Sequence, residues 1–191
     1  MNKKIVIIIV VIIVLVIGGG VAYYLMNNKK SDTSTKSQNS TQVKTNLKGN
    51  ELIQATLDKL KTQVPTIANT KVYTEATDPN NSLGKTQQYQ YAGAFYDTRT
   101  NYKPPLDDSG NDVTIENDKY KTSAGGSIEI YANDKDATAR GEYLANFQTG
   151  LVQAGAYKVE GNTVFRVSEE YTASQQQEML SLMQKDYNEF N

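Results

Sequence analysis

The side chains available for chemistry are carboxylates, hydroxyls, amides, lysines and arginines, because the chain has neither histidine nor cysteine. Ser-His-Asp triads, thiolate nucleophiles and ordinary zinc sites all need one or the other, and they are excluded. No glycine-rich phosphate loop follows a predicted strand, since Gly18, Gly19 and Gly20 lie inside an apolar run. The polar residues that remain gather in four places. Asp78, Asn80 and Asn81 belong to DPNN, where short polar side chains bond their own backbone and make turns. Asp97 and Arg99 stand two apart on a predicted strand, so they share a face and either pair with each other or hold a polar ligand. Arg140 falls between Ala137 and Leu144 on the apolar stripe of a predicted helix, where a guanidinium either snorkels to water or meets an acid such as Glu129. Removing it from such a pair is expected to cost about 3 kcal/mol. These six residues are the candidate binding positions, each weighed against plain structural pairing. The fourth place is the run DDSGND, where Asp107, Ser109, Asn111 and Asp118 fall at positions 1, 3, 5 and 12 of a calcium-loop spacing. Asp112 occupies the position that needs glycine and position 12 is not Glu, so the run reads as a solvated loop. No metal, no cofactor and no catalytic residue are expected; composition alone leaves open a hydrolase built on two carboxylates.

The elements that must position these residues follow from apolar periodicity. Asn50 is expected to cap a helix carrying Ile53, Leu57, Leu60 and Val64 on one stripe, stopped by Pro65. TKVYTEA reads as a short strand and DPNNSLG as a turn-rich loop. In QYQYAGAFYD the period-two pattern puts Tyr89, Tyr91 and Phe95 on one face, with Gly93 marking a bulge or a close approach. Thr98 to Gly125 reads as a long irregular loop holding one short hairpin. SIEIYA is a strand with Ile128 and Ile130 inward. A helix starts at Asn133 or Asp134, with Ala137, Arg140, Leu144, Phe147 and Leu151 near one face. AYKVE and TVFRVS form a hairpin about Gly161-Asn162. Thr172 and Gln175 make a capping box for a last helix that buries Met179, Met183, Tyr187 and Phe190. The sum is an α+β sandwich of one antiparallel sheet with helices on one face, spanning 49–191.

Ahead of that domain, residues 5–26 hold 22 positions without a charge, between the basic residues of 1–4 and Lys29-Lys30. As a helix this run reaches about 33 Å, enough for a hydrocarbon core of about 30 Å. It predicts a membrane span with Tyr23 and Tyr24 at the headgroup boundary. The rival reading is a secretory signal cut before Tyr23, with Gly20 and Ala22 as its small residues. Residues 27–48, almost all Ser, Thr, Asn, Gln and Lys, cannot bury enough surface to fold and read as a flexible stalk. Of the 20 basic and 21 acidic residues, 13 and 20 lie from Asn50 onward, a charge of −7 for the domain. The stalk carries the opposite sign. An acidic domain argues against nucleic acid as a partner.

The segments TEATDPNNSLGK, YQY with FYDTR, GGSIEIY, ATARGEYL and NTVFRVS together resemble small surface lipoproteins and membrane-anchored proteins of Gram-positive bacteria. The resemblance covers Val72 to the C-terminus. It implies an extracytoplasmic, single-domain protein and no mechanism. The chain departs from it by placing a span where many such proteins carry a lipidated cysteine. The expected function is therefore non-enzymatic: a membrane-tethered extracytoplasmic domain that binds an envelope polymer or a protein partner. The alternatives are an accessory subunit whose span packs against another membrane protein, and the carboxylate hydrolase. The domain has eleven tyrosines, which suit a strand core and a binding surface alike.

Overall fold

Ile53, Leu57 and Leu60 recur on one stripe, and helix α1 (Gly49–Gln63) buries all three completely. The chain turns into α1 at Gly49, whose φ of +57° glycine adopts without strain. Asn50 thus lies inside the first turn rather than capping it, and Lys48, the residue before the helix, makes no side-chain cap. The computed structural model describes residues 46–107, 109–114, 121–147 and 155–191. The predicted span 5–26 and most of the stalk 27–48 lie outside the described residues, as do Leu151 and Asp118. Among the described residues no helix is long and apolar enough to cross a membrane.

Five strands form one sheet: β1 (Ile67–Val72), β2 (Tyr89–Asp97), β3 (Gly125–Tyr131), β4 (Tyr157–Glu160) and β5 (Thr163–Val167). Their order is β1-β2-β3-β5-β4, and every neighbouring pair is antiparallel. The first strand begins earlier than TKVYTEA, because Ile67 enters the core directly after the Pro65 stop and pairs with Asp97. The register of β2 on β3 shifts between Tyr89 and Tyr91. That irregularity corrects the expected common face: Phe95 packs with Ile128, whereas Tyr89 joins Tyr131 on the opposite side, edge to face at 6.3 Å. Gly93 marks a close approach, since a Cβ there would stand 2.7 Å from Cγ2 of Ile53.

Helices lie on both faces of the sheet, not on one. α1 and α3 (Ala173–Phe190) cover Phe95, Ile128, Ile130, Phe165 and Val167. α2 (Asp134–Phe147) covers the other face, where Ala92, Ala94 and Val164 meet Ala137 and Leu144. Successive side chains of a strand point to opposite faces. In β3 this sends Ile128 and Ile130 toward α1 and α3, and Ser127, Glu129 and Tyr131 toward α2. Such a polar row reads as solvent-facing in a sequence, yet all three residues are buried. Small side chains permit the second layer: a Cβ on Gly141 would fall 2.7 Å from Cγ2 of Val159. α3 opens with the expected capping box, both of its bonds formed between Thr172 and Gln175. One turn of 3-10 helix, Thr122–Ala124, ends the long loop and leads into β3.

Candidate functional site

The polar face of β3 is the floor of a cleft of about 450 Å³ between the sheet and α2. Glu129, 3 % exposed, is its centre. Its Oε1 accepts from Nη1 of Arg166 at 2.9 Å, and its Oε2 accepts from Nε of Arg140 at 3.2 Å and the hydroxyl of Tyr131 at 2.9 Å. Burial by itself would raise the Glu129 pKa, but the two guanidinium groups and the tyrosine hydroxyl hold it below the ordinary carboxylate value. Register explains the meeting. Ser127 lies opposite Arg166 and Glu129 opposite Val164, so Glu129 and Arg166 are diagonal neighbours on the face that α2 covers. α2 then brings Arg140 down onto the same carboxylate. Among the described residues, Nε of Arg166 is buried and finds no hydrogen-bond partner.

Aromatic groups stand at the mouth. The Arg140 guanidinium lies 5.3 Å from the Tyr143 ring centroid, and Tyr143 meets Phe147 one helical turn on at 4.8 Å. Both rings are open to solvent, Tyr143 at 53 % and Phe147 at 36 % exposure, so Phe147 is not the buried residue its stripe suggested. Tyr73, Tyr89, Asn80, Gln88 and Lys121 also line the cleft, and the Asn80 side chain donates to the Tyr89 hydroxyl at 3.3 Å. Across Arg140 and Tyr143 the surface dips into a second hollow of similar size, bounded by Gln87, Gln88, Tyr131, Lys135 and Asp136.

Of the six residues singled out in the sequence, the cleft takes two, Asn80 and Arg140. Asp78, beneath it, is buried and spent on its own loop. It accepts from the amides of Asn80 at 3.0 Å and Leu83 at 2.8 Å, from that of Ser82, and from the Tyr89 hydroxyl at 2.6 Å. Burial opposes its ionisation, but these donors, Tyr89 foremost, leave its pKa lowered. Asn81 holds a left-handed φ of +51° in that turn and borders a separate shallow hollow. Asp97 and Arg99 are elsewhere, and they do not share a strand: β2 ends at Asp97 and Arg99 lies in the turn that follows. Nη2 of Arg99 donates to Asp97 at 2.7 Å, the Tyr171 hydroxyl donates at 2.7 Å, and the guanidinium lies over the Tyr171 ring. Their mutual pairing consumes both. Asp107 accepts from the amides of Ser109 and Asn111, the bonds of an ordinary turn.

Arg166 and Tyr143 are the cleft residues that sequence reasoning missed. The period-two pattern of TVFRV places Arg166 with Val164, but only the β3–β5 pairing, which skips over α2 and β4, sets it beside Glu129. Compared with known proteins, the chain matches no family model, no curated protein and no solved structure.

Proposed function

We propose that residues 49–191 form a non-enzymatic, extracytoplasmic binding domain of a bacterial envelope, held at the membrane by 5–26 through the stalk 27–48, and that its ligand enters the cleft between α2 and the sheet. The observation that carries this reading is the cleft itself. It is polar and concave, and it is rimmed by two exposed aromatic rings whose neighbours are rigidly paired. Sites for small ligands occupy roughly 300–1,000 Å³ and combine apolar walls with a few fixed polar groups, which the cleft supplies. The bonding of Glu129 favours binding over hydrolysis. A general acid needs a raised pKa, and this carboxylate is held low by two arginines.

Full-length protein in detergent micelles, immobilised and challenged with purified cell-wall and membrane fractions, tests the reading. Retention on one fraction, lost in the double variant Tyr143→Ala/Phe147→Ala, is the expected result. Undiminished retention by that variant would show that the cleft is not the binding surface.

A further inference from the structure

We infer that the cleft recognises a saccharide bearing a carboxylate, with Arg140 and Arg166 holding the anion and Tyr143 and Phe147 supporting the sugar ring; this rests on the reading of the cleft as the binding site. Charge comes first. Lys121, Arg140 and Arg166 face Glu129 and Glu169 around the cleft, three cations against two carboxylates. At the floor the imbalance is sharper: Glu129 is shared by two guanidinium groups whose side chains are only 23 % and 13 % exposed. Among the described residues, one partly buried positive charge is thus left over at the floor, and Nε of Arg166 has no acceptor. A planar carboxylate matches the fork of a guanidinium and would balance that charge. The surrounding domain carries −7, with 13 basic and 20 acidic residues from Asn50 onward. It repels extended polyanions and leaves the cleft suited to one isolated anionic group.

The shape supplies the rest. Tyr143 and Phe147 expose ring surface beside the anion position, and the C–H face of a pyranose packs on such rings. The side-chain amides of Asn80 and Gln88 and the hydroxyls of Thr122, Ser123 and Ser127 also line the cleft, those of Thr122 and Ser127 bonded to each other at 2.9 Å, and such groups can both donate to and accept from sugar hydroxyls. The second hollow shares Gln88, Arg140 and Tyr143 with the first. Two adjoining volumes of about 450 Å³ each suit consecutive sugar units better than one compact molecule.

The test is calorimetric titration of the full-length protein in zwitterionic detergent with three probes. They are the disaccharide of N-acetylglucosamine and N-acetylmuramic acid, N,N′-diacetylchitobiose (hereafter chitobiose, the same two N-acetyl rings without the lactyl carboxylate) and inorganic phosphate. The acidic disaccharide is expected to bind about tenfold tighter than chitobiose, the worth of one charge-assisted contact. Tyr143→Ala should weaken both sugars while the melting temperature stays unchanged. Equal affinity for the two disaccharides overturns the carboxylate assignment, and phosphate binding as tightly as the acidic sugar overturns the saccharide assignment. Absence of binding by either sugar overturns the inference as a whole. Retention on envelope fractions that still depends on Tyr143 and Phe147 would then leave the cleft standing as a binding site for another chemistry.

Discussion

Glu129 is shared by two arginines, and the two are not equivalent. Arg166 is the more deeply buried and makes the shorter bond, at 2.9 Å. Arg140 is 23 % exposed and reaches its acceptor at 3.2 Å. Removing Arg166 leaves a buried carboxylate facing one partly solvated cation, and breaking a buried pair costs about 3 kcal/mol or more. Removing Arg140 leaves Arg166 and Tyr131 in place, so the loss should be nearer about 1.5 kcal/mol, the low end for one charged hydrogen bond. The 3 kcal/mol expected for Arg140 from the sequence therefore belongs to its unforeseen neighbour. Thermal and urea melts of Arg140→Ala and Arg166→Ala, each against the parent protein, check this, and the reverse order of the two losses would contradict it. The pairing of Arg140 with Glu129 was legible because a charged residue on a helix's apolar stripe must find a partner and the preceding strand offered one. Arg166 was not, because its contact depends on strand register between segments separated by a helix and another strand.

At the scale of elements, local signals were legible and non-local ones were not. The capping box, the hairpin about Gly161 and the inward isoleucines of β3 each depend on a few adjacent residues, and each stands where the periodicity put it. The side on which α2 packs depends instead on what covers the row Ser127, Glu129, Tyr131, and an alternating pattern cannot distinguish water from a polar helix face. Glycine positions show how tightly the layers fit. A Cβ on Gly126 would lie 2.6 Å from Cζ of Phe95 and 2.6 Å from the carbonyl oxygen of Arg166, so neither ring nor strand has room. Gly126→Ala should destabilise the domain by about 1–3 kcal/mol, the range for overpacking a filled core. A melting temperature within error of the parent would show that Phe95 can move aside. Since the crowded carbonyl belongs to Arg166, the same substitution should also disturb the cleft floor.

Taken as a whole, the molecule hides its ionisable groups on both faces of the sheet, and this sets its pH range. Asp78, Asp97 and Glu129 all have lowered pKa values: burial opposes ionisation in each, and bonded donors outweigh it. A lowered folded-state value contributes stability that is present above the unfolded value, about 4, and lost as pH falls through the folded one. Tyr73, Tyr89, Tyr131, Tyr171 and Tyr187 have raised values, foremost because burial disfavours the phenolate. Their contribution is intact below the unfolded value, about 10, and is lost as pH rises toward the folded ones. The melting temperature should therefore form a plateau between about pH 5 and pH 9, falling on both sides. A steady slope across that interval would mean that another group titrates there.

The two ends of the domain meet. The amide of Leu47 donates to the carbonyl of Phe190 at 2.8 Å, and the Lys48 ammonium donates to the Asn191 side chain at 3.1 Å. Mechanically, this makes the corner where α1 begins and α3 ends a shackle. Tension arriving along the chain from residue 46 is handed at once to the last turn of α3, which is anchored in the core through Met183 and Tyr187, before it can peel α1 from the sheet. The order of the chain also becomes nearly a ring. A short bridge from Asn191 to Asn46 would close it, and the exposed turn at Gly110 offers a place to reopen it without cutting the sheet or any of the three helices.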